Sequence, residues 1–181
     1  MRLFSVRAVL TSSLLLAGVA LAGWTKTGDG VASFKGVGPA GFKIEGKTRS
    51  VDVKDDGKTL TVVVGLKDLE TGIDLRDKHM RDKYLEVEKF PEATLAIPHD
   101  EIKWPDEGKS GEGSGKGTFS VHGKSKEISF KYKITNSGGT FAIEGEAPVN
   151  FKEHDVNVPS YMGITVKPDI TVFAKFNAKK G

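Results

Sequence analysis

The segment that decides the fold is Glu127-Ile-Ser-Phe-Lys-Tyr-Lys-Ile134, in which apolar and polar side chains alternate without a break. Successive side chains of a β-strand point to opposite faces of the sheet. One face of this segment therefore carries Ile128, Phe130, Tyr132 and Ile134, while the other carries Ser129, Lys131 and Lys133. A strand of this kind is buried on one side and meets water on the other, which is typical of an antiparallel sheet.

The same alternation recurs along the chain, with turn signals between the repeats. It is found in three further sets: Leu60, Val62, Val64 and Leu66; Phe141 and Ile143; Val149 and Phe151. Tight turns are predicted at Asp55-Asp56-Gly57, at residues 123–126 and at Ser137-Gly138-Gly139. The pattern predicts about nine or ten short, mostly antiparallel strands in one all-β domain, with a long polar loop over residues 105–117.

Strands with one apolar face can form either a two-sheet sandwich or a closed barrel. The long alternating strands and the scarcity of helix favour the barrel, because closure removes the exposed strand edges that promote aggregation. We therefore expect an antiparallel barrel of eight strands or slightly more.

One segment of the mature chain, residues 66–91, reads as a helix instead of a strand. Thr71 and Asp74 form a plausible capping pair, with side-chain oxygens for the free amides of the first turn. Ile73, Met80, Tyr84 and Val87 form one apolar stripe at helical spacing. A short helix is thus predicted at about residues 73–85, near one end of the barrel.

The first 22 residues have the form of a secretory signal peptide, which places the mature chain in the periplasm or outside the cell. Arg2 and Arg7 precede an apolar core, and Ala20-Leu21-Ala22 is a cleavage site of small residues. The formal charge of +3 includes those two arginines, so the mature chain carries only +1. No basic block favours nucleic acid, and the absence of cysteine rules out disulfides and thiol catalysis.

The sequence contains no pattern specific to catalysis or to metal binding. The glycine-rich residues 113–118 lack the spacing of a phosphate loop and lead into a strand instead of a helix. The four histidines lie in different elements without ligand-pair spacing, and we interpret His99 and His154 as solvated turn residues. We therefore predict neither a catalytic residue nor a metal site.

A closed barrel with these strands would have an apolar lumen. An eight-stranded barrel either fills its lumen with side chains or leaves room for one small ligand, and the alternation fits both outcomes. The inward-facing residues that would line an open lumen are Phe34, Phe42, Leu60, Val62, Val64, Leu95, Phe119, Phe130, Tyr132, Phe141 and Phe151.

Two motifs resemble the YceI-like family of secreted bacterial barrels. The first is Thr71-Gly-x-x-Leu75-Arg-Asp-x-His79-x-Arg81, and the second is Gly117-Thr-Phe-Ser-Val-His-Gly-Lys-Ser-Lys126. The opening strands, with Ser33-Phe34 and residues 41–46, also resemble those of the family. Two departures stand out: Ala32-Ser33 replaces the family's His-Ser, and residues 150–156 replace its Asn-Arg-x-Asp-Phe-Gly.

The resemblance implies a lipocalin-like barrel over residues 23–181 with the helix at one end, and no enzymatic activity. It implies a periplasmic carrier or sequestering protein whose bound group is an isoprenoid, a quinone or another amphiphilic lipid, and no other cofactor. Its partners would be that ligand and, transiently, a membrane protein or the membrane surface. Arg76, His79 and Tyr84 would then meet the ligand headgroup, although the residues alone favour a solvated helix face. The alternative function is a structural or stress-associated interaction barrel with a filled core.

The signal peptide supplies a direct test of export. N-terminal sequencing of the protein recovered from the periplasm is expected to begin at or near Gly23, since cleavage follows Ala22. Recovery of intact Met1 from that fraction would contradict the assignment.

Overall fold

A computed structural model describes residues 23–38, 41–157, 160–161 and 164–181. The predicted signal peptide, residues 1–22, lies outside the described residues. Within the part that is described, no helix combines the length and hydrophobicity that crossing a membrane requires.

The described residues form nine antiparallel strands in a nearly closed barrel, together with one small hairpin and one short helix. The strands of the barrel are β1 (Trp24–Val37), β2 (Lys43–Thr48), β3 (Val51–Asp55), β4 (Thr59–Gly65), β5 (Glu92–Pro98), β6 (Ser110–Val121), β7 (Lys124–Ser137), β8 (Thr140–Asn150) and β11 (Asp169–Lys180). The hairpin is β9 (Ser160–Tyr161) with β10 (Ile164–Thr165). The helix α1 (Asp74–His79) continues into one wider π-type turn, Met80–Tyr84, and short 3₁₀ turns lie at His99–Glu101 and Phe151–His154.

The strand order around the wall is β2-β1-β11-β8-β7-β6-β5-β4-β3, which confirms the predicted all-β antiparallel barrel. Only two residues separate β2 from β3, so the pair acts as one bent strand and the wall has eight positions. The second half of β1 pairs with β2, whereas β3 pairs with β4. The bend therefore carries the chain across the gap between the first and last parts of the sheet.

The start of β1 and the end of β3 meet at a seam in the wall, and the side chain of Asp55 links the two strands there. The backbone N–H of Trp24 donates to the Asp55 carboxylate at 2.8 Å, and the His99 ring lies 2.9 Å from the same carboxylate. Asp55 thereby joins β1, β3 and the 3₁₀ turn after β5, although β1 and β3 share no backbone ladder.

The facing predicted for the central strands is confirmed. Phe130, Tyr132 and Ile134 of β7 are buried, while Lys131 and Lys133 between them are exposed. Leu60 and Val62 of β4 are buried in the same apolar cluster as these β7 residues. The alternation thus places the apolar face of each of these strands on the inside of the barrel.

The predicted polar loop over residues 105–117 is wrong, because β6 begins at Ser110 and pairs with β7 along its whole length. The inward-facing positions of β6 between Ser110 and Gly117 are glycines. The alternation of apolar and polar side chains therefore cannot be recognised there from hydrophobicity. The close approach of neighbours requires these glycines: a Cβ at Gly113 would lie 2.7 Å from the Tyr132 hydroxyl, and one at Gly115 would lie 2.7 Å from the Glu101 carbonyl oxygen. The aromatic rings of β7 take the space that side chains of β6 would otherwise fill.

The turn between β6 and β7 is also tighter than predicted. It consists of His122 and Gly123, both with positive φ (53° and 73°), and Lys124 already pairs with Val121. Two residues in the left-handed region form the hairpin turn whose twist matches the flanking strands. The predicted turn at residues 123–126 was therefore displaced toward the carboxyl end.

The two faces of β7 provide a test of the facing. Phe130→Ala is expected to lower the free energy of unfolding by about 3–5 kcal/mol, because the buried ring covers the glycines of β6. Lys131→Ala, one position along and exposed, should change the free energy of unfolding by no more than about 0.5 kcal/mol. Denaturant unfolding of the two variants measures the difference, and equal values would contradict this orientation.

Candidate functional site

The barrel encloses a cavity of about 910 Å³, and apolar side chains dominate its wall. It extends from Trp104, near the end that holds the Trp24–Asp55 seam, to Lys83 and Tyr84 beside the helix. We call these the closed end and the mouth. This volume lies in the upper part of the ~300–1,000 Å³ range of small-molecule sites.

A row of small residues keeps the middle of the lumen open. Ala32 of β1 pairs with Ala174 of β11, which pairs with Gly145 of β8, and all three line the cavity. A Cβ placed on Gly145 would meet nothing closer than the Lys131 carbonyl oxygen at 3.8 Å. The lumen is therefore wide at this level because three neighbouring strands contribute almost no side-chain volume.

Ten of the eleven residues predicted from the sequence to line the lumen lie in the cavity wall. They are Phe34, Phe42, Leu60, Val62, Val64, Leu95, Phe119, Phe130, Tyr132 and Phe151. Phe42 differs from the rest, since it is 59% exposed and lies at the mouth instead of deep inside. Their contact with a ligand stays a prediction.

Phe141 is the exception, because it packs into an aromatic cluster and does not line the cavity. Trp24 and Trp104 stack with their ring centroids 3.8 Å apart, and Phe141 meets Trp24 edge-on at 4.8 Å. Phe141 meets Trp104 edge-on as well, at 5.5 Å. Alternation placed Phe141 on the inner face, but it could not show that two tryptophans from distant segments occupy this end of the barrel.

A second apolar cluster holds the helical segment against the mouth. Its buried members are Leu66, Leu69, Leu85, Val87, Ala93, Val121 and Val156. Met80 and Tyr84 pack against this cluster, as the predicted stripe requires. Ile73, the first member of the stripe, is instead 52% exposed at the rim of the mouth.

The helix is held at its start by Asp77, and the predicted capping pair of Thr71 and Asp74 does not form. Ile73 is the N-cap residue and makes no side-chain cap. The buried Asp77 carboxylate instead accepts hydrogen bonds from the backbone N–H and the hydroxyl of Thr71. Burial alone would raise the pKa of Asp77, but the hydrogen bonds from Thr71 and Gly72 and the nearby charge of Arg81 outweigh it, so its pKa is lowered.

Two arginines of the helical segment are bound to the preceding loop. Arg76 donates through Nε to the Thr71 hydroxyl at 2.6 Å and through a terminal nitrogen to the Thr71 carbonyl at 3.0 Å. Arg81 donates to the Leu69 carbonyl at 3.0 Å. The Thr-Gly-x-x-Leu-Arg-Asp motif therefore shapes the turn into the helix, and Arg76 has two of its donors committed to that task.

All three residues predicted to meet a headgroup line the mouth: Arg76, His79 and Tyr84. Lys83, which the sequence reading did not select, lies beside them, with its ammonium 5.6 Å from the Tyr84 ring centroid. The position of Lys83 in the sequence gave no distinct signal for a role at the mouth. Lys78 and Asp82 form an ion pair at 2.6 Å on the exposed face of the helix.

Two histidines that were not assigned a role connect segments near the mouth. His122, in the hairpin turn, lies 2.9 Å from the Glu86 carboxylate just after the helix. His154 is fully buried, and its Nδ1 lies 3.1 Å from the Lys124 carbonyl, to which it can only donate. The interpretation of His154 as a solvated residue was therefore wrong. Within the described residues, no group of histidine and carboxylate side chains is arranged to hold a metal ion.

Comparison with protein families decides the classification. The family model described as the YceI-like domain matches residues 27–178, which is most of the chain. This protein belongs to the YceI-like domain family. The recognition from the two sequence motifs is confirmed, although no curated protein sequence matches the chain.

Solved structures of three other proteins share the barrel. A polyisoprenoid-binding domain from Saccharophagus degradans matches with a TM-score of 0.73 and 14% identity, over 89% of this chain and 99% of that one. BcnA of Burkholderia cenocepacia matches with a TM-score of 0.63 and 15% identity, over 82% and 95%. The YceI protein of Campylobacter jejuni matches with a TM-score of 0.53 and 13% identity, over 100% and 99%. At these identities the likeness concerns the fold alone.

The seam of this YceI-like barrel is expected to weaken in acid. Burial would raise the pKa of Asp55, but hydrogen bonds from His99 and from the N–H groups of Trp24 and Gly57 lower it on balance. A carboxyl with a lowered folded pKa stabilises fully above its unfolded value of about 3.9, and the contribution disappears as the pH falls through the folded pKa. Melting temperatures below about pH 4 should therefore fall less steeply for Asp55→Asn than for wild type. Parallel curves would show that Asp55 does not fasten the seam.

Proposed function

We propose that this YceI-like protein is a periplasmic carrier or sequestering protein that holds the apolar chain of an isoprenoid, a quinone or a similar amphiphile in its lumen. The observation that carries the proposal is the apolar cavity of about 910 Å³. At about 30 Å³ for each non-hydrogen atom, taken from the volume of a water molecule, this space accommodates about 30 atoms. That is a chain of roughly six five-carbon units.

The chemistry of the wall supports an apolar chain over a polar ligand. Two residues that line the cavity have hydroxyls that already accept hydrogen bonds: the Tyr132 hydroxyl accepts from the Lys103 N–H at 2.9 Å, and the Thr48 hydroxyl accepts from the Ser50 N–H at 3.1 Å. Burial of each methylene group stabilises by about 0.8 kcal/mol. A chain of several isoprene units can therefore reach micromolar to nanomolar affinity after the costs of association and ordering.

The polarity of the two ends supports one orientation for the ligand. The closed end offers the ring of Trp104, which stacks on Trp24 behind it, whereas the mouth offers His79, Lys83 and Tyr84. A polar headgroup left in the apolar interior without partners would lose its hydrogen bonds with water. We infer that the chain enters tail first, with its headgroup beside these three residues at the mouth.

Two further observations support the assignment. The solved domain from Saccharophagus degradans, which shares this fold, is described as polyisoprenoid-binding. The amino-terminal sequence has the charged start, apolar core and cleavage site of an exported protein. Export would place the carrier between the two membranes, where water-insoluble chains need a soluble container.

Added bulk inside the lumen tests the proposal. Val64→Phe and Gly145→Leu each place new atoms in the cavity, and at Gly145 the first added carbon meets nothing closer than 3.8 Å. In an empty lumen they should lower the free energy of unfolding by less than about 1 kcal/mol, whereas overpacking of a filled core costs about 1–3 kcal/mol. Uptake of an added isoprenoid quinone by the delipidated protein, measured by quenching of the fluorescence of Trp24 and Trp104, should be lost in both variants.

The matched control is Lys133→Phe, which adds the same ring to the exposed outer face of β7. It should leave both quinone uptake and melting temperature close to wild type. Full uptake by the two lumen variants would overturn the proposal. Strong destabilisation of both, together with no uptake by wild type, would favour the filled interaction barrel.

A further inference from the structure

The most exposed large apolar side chains of the described residues lie together at the mouth. Leu75 is 64% exposed, Phe42 is 59% exposed and Ile73 is 52% exposed, and all three line the cavity. We call them the apolar rim. Single exposed apolar side chains are ordinary, but a cluster around the mouth of an apolar cavity indicates an interaction surface.

The apolar rim comes from two separate parts of the chain. Phe42 directly precedes β2, whereas Ile73 and Leu75 lie at the start of the helix. The helix is fixed there by the buried Asp77 and by the Arg76 contacts to Thr71. The helix is thus held by polar contacts below while its apolar side chains at the mouth face water.

The charges around the apolar rim are mainly positive. Arg76 and Lys83 line the mouth, and Lys43 directly follows Phe42. Asp74 lies between the two apolar residues of the helix, and Asp82 is paired with Lys78 at 2.6 Å. The apolar rim with lysine and arginine around it suits an anionic lipid surface, because its apolar side chains can enter the interfacial region while the cations contact the headgroups.

We propose that the mouth of the barrel docks on an anionic phospholipid bilayer through the apolar rim, so that a lipid chain passes directly between the membrane and the lumen. This inference rests on the proposed function, because a chain that is insoluble in water gains from a route without exposure to water. The bilayer is favoured over a protein partner or a second copy of this chain because the apolar rim is continuous with the cavity wall. Contact at that point joins the two apolar phases.

Vesicle binding by the delipidated full-length mature protein tests the docking. Co-sedimentation is compared between vesicles of phosphatidylcholine alone and vesicles of an equal mixture of phosphatidylcholine and phosphatidylglycerol. Wild type should prefer the anionic vesicles, and added salt should weaken the binding. Ile73→Ser with Leu75→Ser should reduce the affinity at least about tenfold, because two exposed apolar side chains no longer enter the interface.

Two further variants separate the apolar and the electrostatic contributions. Lys43→Gln with Lys83→Gln should reduce binding to anionic vesicles by about fivefold for each charge removed, with little effect on neutral vesicles. The matched control is Val31→Ser, which removes an exposed apolar side chain, 37% exposed, that does not line the cavity. It should bind like wild type, and all variants should keep the wild-type melting temperature within a few degrees, since the changed side chains are exposed.

The outcomes are distinct for this inference and for the proposed function. The docking proposal would be overturned if wild type bound neither kind of vesicle. It would also be overturned if the serine variants at the apolar rim bound like wild type. A protein that ignores vesicles but loses lipid uptake in cells when the apolar rim is changed would point instead to a protein partner. Docking by a protein that retains no prenyl chain would leave the docking in place and overturn the proposed function. Equal binding to neutral and anionic vesicles would overturn the role of the cations.

Discussion

The hydrogen-bonded wall of the barrel holds the structure together around an interior that side chains do not fill. Pairing runs unbroken through β6, β7, β8, β11 and β1, and the bend between β2 and β3 completes the circuit. Apolar side chains pack in two clusters, one that joins Trp24 to the inner faces of β4 and β7, and one under the helix. The cavity exists because the closed wall and these two clusters stabilise the fold while the lumen between the strands stays open.

The sequence predicted the features that depend on regular alternation. The facing of β4 and β7, the hairpin turns at Asp55–Gly57 and Ser137–Gly139, and the helix near residue 73 all follow from local patterns, and the structure has them. Such features can be predicted from a short stretch of sequence, because successive side chains of a strand point to opposite faces with a period of two residues. The strand pattern also favoured the barrel over the sandwich, and the family resemblance through two motifs supported the same choice.

The features that the sequence did not predict depend on contacts between distant segments. The glycines of β6 resemble a loop until the rings of Phe130 and Tyr132 are seen to cover them. Phe141 alternates like a lumen residue, but its position is set by two tryptophans far away in the chain. Asp77 resembles one more charge on a solvated helix, yet it is buried and organises the loop before the helix. The small row of Ala32, Ala174 and Gly145 likewise requires the strand register, because no residue in it is informative alone.

The two ends of the barrel differ in chemistry, and this difference gives the proposed function its direction. At the closed end, Asp55 and the stacked tryptophans seal the wall, whereas at the mouth apolar and basic side chains meet water. In the proposed function, a tail that enters at the mouth would pass the wide middle level and end beside Trp104, which lines the cavity. For the same reason, a larger side chain at Gly145 is expected to reduce retention of the lipid chain. A polar side chain at Leu75 is expected to reduce transfer of the chain between the membrane and the lumen.

The central claim is that the lumen is occupied by one lipid chain in the cell. The most direct measurement is native mass spectrometry of the protein purified from its own host without detergent, followed by organic extraction and identification of the released molecule. The account predicts a single added mass that disappears on denaturation and is recovered as a lipid with a long apolar chain. A bare polypeptide mass, from protein that also fails to take up an added isoprenoid quinone, would contradict it.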